Sequence, residues 1–389
     1  MARKKTPSID PPIPLEAIAQ LEELLDRSLG GWETKEPRWH SPSPDTLVDD
    51  AWFDVVAVVK VVRALRRMPH TKGRQWARTP FEPATWQLVW LIAPVFGWKH
   101  ADGTRIIREV WDEIPRKNGK STISARLGLV LAAADGEWGG EVYAAATSMA
   151  QAKVVLDQAR EVALRSPSLK RKCEPLAEVI RFPRTGSIFR ALSRMADAAH
   201  GLNVSGAVVD EVHLHKNRGL IVAIETGTGA REQPLIIFIT TAGDDDDTTI
   251  YAEKHNYAVR IGDGHVKDPT VWAVIWAAGE DDDYLAEETW AKANPNYPTS
   301  PTPAFLQKEF SQLVEKPQKL GELLRLHLNI RHGIAEGIWP GAEAWADHPG
   351  IVELEELEGR EAWGGLVGAL ATELAALCWP FENPDGDGY

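Results

Sequence analysis

Apolar residues fall at helical spacing over Pro14–Leu29, over 50–68 and over Trp86–Phe96, the first of these within a stretch rich in proline and charge. Residues 1–49 therefore read as an arm that carries one amphipathic helix. From about residue 106 the texture changes. Short apolar runs, at Ile106–Ile114, Glu141–Ala146, Gly206–Val209 and Leu235–Thr240, alternate with longer helical patterns at Lys120–Ala134 and Met149–Leu164. Strands that alternate with helices predict an α/β fold built on a mostly parallel, helix-covered sheet. Val179–Phe182 and Ser187–Ala191 flank Thr185-Gly186 and predict a hairpin, and Val271–Ala277 predicts one more strand. Beyond about residue 280 the pattern is helical and punctuated by proline, most clearly over Pro303–Leu328, and Trp363–Pro380 predicts two short strands around a turn.

Composition narrows the function classes. The 389 residues are 44% hydrophobic and 25% charged, ordinary for a globular chain of one large or two moderate domains. The two cysteines, Cys173 and Cys378, lie far apart, which argues against a disulfide framework or a cysteine-based metal site and fits a reducing cytoplasm. No apolar run reaches the length of a membrane span. The basic start, Met1 to Pro7, is followed by no apolar stretch, so no signal peptide is expected. A net charge of −13 lends no support to a broad nucleic-acid face. Acids cluster at Asp244–Asp247 and Glu280–Asp283, which leaves room for a local basic surface. Arg63–Arg78 interleaves cations with Trp76, and fits either a phosphate-backbone contact or a solvated basic loop.

The strongest local signal is Pro115-Arg-Lys-Asn-Gly-Lys-Ser121, which follows a predicted strand and opens a predicted helix. Backbone N–H groups at such a turn, backed by the helix N-terminus, cradle phosphate oxygens. Lys120 would reach the outer phosphates and the Ser121 hydroxyl would hold Mg²⁺. Ile114 replaces the usual first glycine, so the same residues also fit a basic turn that caps a helix. Gly206-Ala-Val-Val-Asp-Glu211 is an apolar strand ending in two carboxylates. Neighbours at a strand end point to different sides, which lets Asp210 position Mg²⁺ while Glu211 polarises the attacking water. Alone, this is also a strand that ends in solvated acids. With one strand, Glu141–Ala146, between it and the basic turn, each motif makes the other harder to ascribe to chance. Leu235–Ile239 ends in Thr240-Thr-Ala-Gly243, where small hydroxyls beside a phosphate can sense its loss. Trp86-Gln87 could read an adenine edge. His213 and His215 follow the acids, but no cysteine or third histidine lies near enough to complete a zinc site.

The order Trp86-Gln87, Arg116-Lys-Asn-Gly-Lys-Ser121, Ala146-Thr147 with Gln151-Ala152, Gly201-Leu-Asn203, Val209-Asp-Glu-Val-His213 and Ile239-Thr-Thr-Ala-Gly243 resembles that of the terminase large subunits of tailed phages. Trp290, Asn294-Pro-Asn296, His327-Leu-Asn329 and Trp339 look like that family's segment between ATPase and nuclease. The resemblance covers roughly residues 50–380. It implies an α/β P-loop NTPase of the additional-strand, catalytic-glutamate type with a mostly parallel central sheet. It also implies a division into an N-terminal arm (1–49), an ATPase domain (50–265), a helical linker subdomain (266–355) and a remnant of an RNase H-like nuclease (356–389). Carried over residue by residue, Asn118, Gly119, Lys120, Ser121 and Thr122 cradle ATP, and Ser121 and Asp210 hold Mg²⁺. Glu211 is catalytic, Thr240 and Thr241 form the coupling motif, and Gln87 contacts adenine. Arg116 could act in cis as an arginine finger. Arg194 and Arg231 are candidates to act on a neighbouring subunit, or are surface arginines. The implied partners are double-stranded DNA, a portal ring, a terminase small subunit and further copies in a homo-oligomeric ring. The implied place is the host cytoplasm at the procapsid, with no membrane.

Gly364–Leu377 resembles the first hairpin of the family's nuclease, but Val367 stands where relatives carry the first metal-binding aspartate. Glu373 is the acid near the turn, and the tail with Glu382, Asp385 and Asp387 is short and glycine-rich. The expectation is an ATP-hydrolysing packaging subunit without nuclease activity. The alternative is a catalytically silent prophage remnant, or a protein that only binds DNA or assembly partners.

Overall fold

A computed structural model describes residues 12–29, 35–73, 77–193, 201–215, 218–244, 246–314, 316–331, 365–367 and 376–378. The strands, in chain order, are β1 (Trp39–His40), β2 (Trp52–Phe53), β3 (Trp98–Lys99), β4 (Glu109–Glu113), β5 (Glu141–Ala146), β6 (Glu174–Pro175), β7 (Val179–Phe182), β8 (Ser187–Ser193), β9 (Val204–Asp210), β10 (Leu235–Thr240) and β11 (Val271–Ile275). Nine of them form one sheet in the order β1-β11-β4-β10-β9-β5-β8-β7-β6, and β2 pairs with β3 alone. From β11 to β8 every neighbouring pair is parallel. A parallel sheet must be covered on both faces, and β10 and β11 are accordingly buried at every position. The helix Lys120–Ala134 and Met149–Arg165 cover one face, and Ile250–Gly262 packs against the other.

The expected strands and helices occur at or near their expected bounds. Lys120–Ala134 has eleven buried residues and no apolar stripe, because it is walled by the sheet on one side and the helix Val55–Arg66 on the other. Gly128 is there because the ring of Phe189 on β8 would lie 2.4 Å from a Cβ. Thr85–Gly97 is helical as expected but opens into a π-turn over Leu88–Ile92. Pro94 has no N–H to give to the Trp90 carbonyl, and the Trp272 indole takes that carbonyl instead, at 2.7 Å. Pro303–Leu328 is two helices, Pro303–Ser311 and Leu320–Leu328, because Pro317 and its flanks form short 3-10 turns between them.

The boundary expected at 265/266 falls inside the sheet. β11 lies beyond it and pairs with β4, while β1, from the expected arm, pairs antiparallel with β11 through Trp39↔Ile275. The chain instead forms two compact units, 1–335 and 336–389. In the second unit β12 (Gly365–Val367) and β13 (Ala376–Cys378) make the expected antiparallel hairpin, with Leu366 opposite Leu377. Trp339, Glu373, Glu382, Asp385 and Asp387 lie outside the described residues. Among the described residues no helix is long and apolar enough to cross a membrane.

Candidate active site

Parallel strands bring their carboxyl ends to one edge, and register decides what meets there. Thr240 lies opposite Glu113, and Asp210 opposite Ile239. The phosphate-loop strand β4, the hydroxyl-bearing β10 and the acid-bearing β9 therefore end at one level, with β10 inserted between the other two.

The loop after β4 turns into the helix Lys120–Ala134 through two left-handed residues, Lys117 at φ 71° and Gly119 at φ 87°. Gly119 is the natural choice at such a φ. Lys120 is buried and its Nζ donates to the Ile114 carbonyl at 2.8 Å. Burial lowers its pKa to about 8, against the opposing pull of Glu211, Asp210 and Asp112. Asn118 is 1% exposed and its amide donates to the carbonyls of Pro115 and Arg116, at 3.1 and 3.3 Å, and to Asn294 Oδ1, at 2.7 Å. Its own Oδ1 accepts from Asn296 N at 3.1 Å.

Two further carboxylates stand where β4 enters the loop. Glu113 is fully buried and accepts from Trp111 Nε1, Tyr251 OH and His255 Nδ1 at 3.1, 2.8 and 2.7 Å. Burial opposes its ionisation, yet His255 and the hydrogen bonds from Tyr251 and Trp111 hold its pKa below the ordinary value. Asp112 is fully buried and its Oδ2 has no hydrogen-bond partner among the described residues. Burial, with Glu113 beside it, pushes its pKa to about 7 in spite of Lys120.

Asp210 closes β9, its carboxyl raised to about 6 by burial and by Glu211. Glu211 takes the left-handed conformation, φ 52° and ψ 53°, and its N–H is shared between Ile239 O and Asp210 Oδ1, both at 3.0 Å. His213 Nδ1 lies 3.3 Å from Glu211 Oε2 and 3.0 Å from Thr240 Oγ1. Burial, with Arg325 and Lys120 nearby, lowers the His213 pKa to about 3, so the ring is neutral.

A third wall comes from the helical segment near residues 287–330. Asn294, fully buried between Trp290 O, His327 O and Asn118, holds the phosphate loop. Asn329 caps the helix Leu320–Leu328 in the left-handed conformation, accepts from Ala242 N at 2.9 Å and donates to Trp276 O at 2.9 Å, which fixes the segment after β10. Gln87 is buried beside Gly119, 3.8 Å from where a Cβ would stand, and its Oε1 accepts from Ala84 N at 3.0 Å. Trp86, Trp90, Asn296, Tyr297 and Lys35 line a recess of about 300 Å³ next to it. A roomier cavity of about 720 Å³ opens at the amino ends of β4, β10 and β11, away from this chemistry.

Lys120, Asp210, Glu211, Thr240, Thr241 and the loop residues Asn118, Gly119, Ser121 and Thr122 are thus brought together, with Gln87 at the loop's flank. Thr122 Oγ1 accepts from Gln158 at 3.2 Å. Arg116 is exposed on the loop, its N–H held by Leu326 O at 2.8 Å. The Arg231 guanidinium donates to the carbonyls of Asn203, Trp138 and Gly139. Arg194 lies outside the described residues. Among the described residues no three His, Cys, Asp or Glu groups converge as a metal cage. One carboxylate, Asp210, and one hydroxyl, Ser121, are hard oxygen donors of the kind that Mg²⁺ accepts when phosphates supply the rest. His213, Asn294 and Asn329 were visible in sequence only as parts of motifs; no local pattern gives a buried asparagine its partner.

Residues 85–260 match the family model described as terminase large subunit, ATPase domain. The terminase large subunit of Enterobacteria phage HK97 is 28% identical over 294 residues, 70% of this chain and 53% of that protein. Protein YmfN of Escherichia coli (strain K12) is 32% identical over 153 residues, 39% of this chain and 32% of that protein. The chain therefore spans about a third of one of these curated relatives and about half of the other. The crystal structure of the HK97 bacteriophage large terminase superposes with a TM-score of 0.61 at 22% identity, covering 85% of this chain and 66% of that one, a likeness of fold.

Asp112 gives the site a pH signature. Its folded pKa of about 7 lies above the ordinary 3.8. Between those values the unfolded carboxyl is ionised while the folded one keeps its proton, so stability falls as pH rises through the window. Asp112→Asn should lose less stability than the wild type between about pH 5 and pH 7 in chemical denaturation. Asp210 adds the same sign to both proteins and cancels in the comparison. Parallel stability curves for the two proteins would contradict this account of Asp112.

Proposed function

We infer, for a chain whose residues 85–260 belong to the terminase large-subunit ATPase-domain family, that it is an ATP-hydrolysing motor subunit that packages DNA. The observation that carries the reading is the register that ends β4, β10 and β9 at one level of a parallel sheet, with Thr240 and Asp210 at that edge and Lys120 within electrostatic reach of Asp210 and Glu211. Lys120 exchanges its bond to Ile114 for the outer phosphates. Backbone N–H groups from Asn118 to Thr122 cradle the rest. Ser121 and Asp210 hold Mg²⁺, which neutralises phosphate charge when bound. Glu211 takes the proton of the attacking water. Thr240 and Thr241 report the state of the γ-phosphate to Asn329, and Gln87 with its adjoining recess faces the base. Arg116 completes the charge in cis. In this reading the chain works as a homo-oligomeric ring on a portal, with a terminase small subunit and double-stranded DNA, at the procapsid in the host cytoplasm. Val367 brings no oxygen ligand to the hairpin, so the reading assigns ATP turnover and no strand cleavage to this chain.

Lys120→Ala should abolish ATP binding. Glu211→Gln should keep it and lose turnover by roughly a hundredfold or more, the ordinary worth of a general base. Equal ATPase rates for Glu211→Gln and wild type would overturn the site. ATP binding without turnover in the wild type would favour a silent remnant.

A basic groove supports the DNA part of the reading. Arg66, Arg67, Arg78, Arg165 and Lys170 surround a cavity of about 640 Å³ with no acid in its lining. Glu82 neutralises Arg66 at 2.6 Å. The two segments are joined by Ser166 Oγ, which donates to Arg67 O at 2.8 Å. Arg126 ties the groove to the phosphate-loop helix, donating to Pro69 O and Thr122 O, each at 2.8 Å. Phosphate contacts release counterions, at a slope of about 0.9 per contact in log affinity against log salt. Arg165→Ala with Lys170→Ala should therefore reduce the salt slope of duplex binding by roughly 2. An unchanged slope would place the duplex elsewhere.

A further inference from the structure

We propose that His213 positions Glu211, and that it does so through one N–H shared between the Glu211 carboxylate and the Thr240 hydroxyl. The proposal rests on the reading of Glu211 as the base. The location of the proton follows from its surroundings. Thr240 Oγ1 donates its own hydrogen to Thr241 O at 2.9 Å, so towards His213 it can only accept. It accepts from His213 N at 3.3 Å and faces His213 Nδ1 at 3.0 Å, so Nδ1 carries the hydrogen. Around that single N–H stand three oxygens: Thr240 Oγ1, Thr241 Oγ1 at 3.4 Å, and Glu211 Oε2 at 3.3 Å.

One donor serves one acceptor well at a time. Thr240 has the shortest contact, and Glu211 Oε2, though buried, has no hydrogen bond of good geometry among the described residues. The Glu211 backbone cannot relieve this by turning, because its left-handed conformation is pinned by two acceptors of its N–H. A non-glycine residue held in that conformation beside reactive groups is a common mark of a functional constraint. When Thr240 turns towards a phosphate, the Nδ1–H, staying on the ring, donates its hydrogen bond to Glu211 instead and fixes one carboxylate oxygen, leaving the other to meet the water. The base is then oriented only while the threonine is engaged. The input to Thr240 arrives through Ala242, held by Asn329, and through Asp244, paired with Arg325 at 3.1 Å.

The experiment separates binding from turnover. His213→Ala should lower single-turnover hydrolysis about tenfold or more at unchanged ATP affinity, as expected when an interaction made only on the reaction path is lost. His213→Asn, whose amide reaches the place of Nδ1, should recover most of the rate. His213→Gln, whose amide reaches the place of Nε2, should not. The double variant His213→Ala, Thr240→Ala should be no slower than the slower single variant, because residues that act as a unit are not additive. Wild-type turnover in His213→Ala would overturn the proposal, as would equal failure of the Asn and Gln variants, or losses that multiply in the double variant. If His213→Ala does not fold, the Asn against Gln comparison decides. Failure of the underlying reading has a different signature: Glu211→Gln would then turn over at the wild-type rate, whatever the His213 variants do.

Discussion

A phosphate loop is irregular backbone with no ladder to pair its polar groups, and this one depends on a buried amide contact for its shape. Asn118 and Asn294 meet at 2.7 Å, both essentially without solvent exposure. Between them they satisfy the carbonyls of Pro115, Arg116, Trp290 and His327 and the N–H of Asn296. A buried polar group left without its partner costs about 1–3 kcal/mol, and here one broken contact would strand groups on both sides. The left-handed turns at Lys117 and Gly119 flank Asn118 on either side, so that contact anchors the middle of the loop.

The same logic recurs one strand away. Asn329 does for the segment after β10 what Asn294 does for the segment after β4. The helical segment beyond β11 is therefore a wall of the site and not a spacer. It holds the phosphate loop with one asparagine and the threonine segment with another, and it adds Arg325 near His213. A shift of this segment would change both places together.

Much of this architecture was legible in the chain, for reasons that are local. Lys120–Ala134 and Glu141–Ala146 declare themselves by largely apolar segments with clear ends, and Asp210-Glu211 by two acids closing an apolar strand. What was not legible is long-range. The pairing of Trp39–His40 with β11 joins residues that the sequence assigns to an arm and a linker, and a strand of two residues leaves no periodic trace. Asn118 and Asn294 are 176 positions apart, and nothing near either names the other. His213 reads as half of a poor zinc motif until the fold puts Thr240 and Glu211 on the same ring nitrogen. The proline-broken helix near 312–319 was legible only in part, since Pro317 signals a break but not that both halves face one cluster.

The helical segment holds the proposed nucleotide site together through its asparagines. A double-mutant cycle on ATP affinity with Asn118→Ala and Asn294→Ala tests it most directly. Each single variant should weaken binding about tenfold, and the pair should show a coupling of about 0.5–3 kcal/mol, as residues in one network do. Strict additivity, or wild-type affinity in Asn294→Ala, would contradict it.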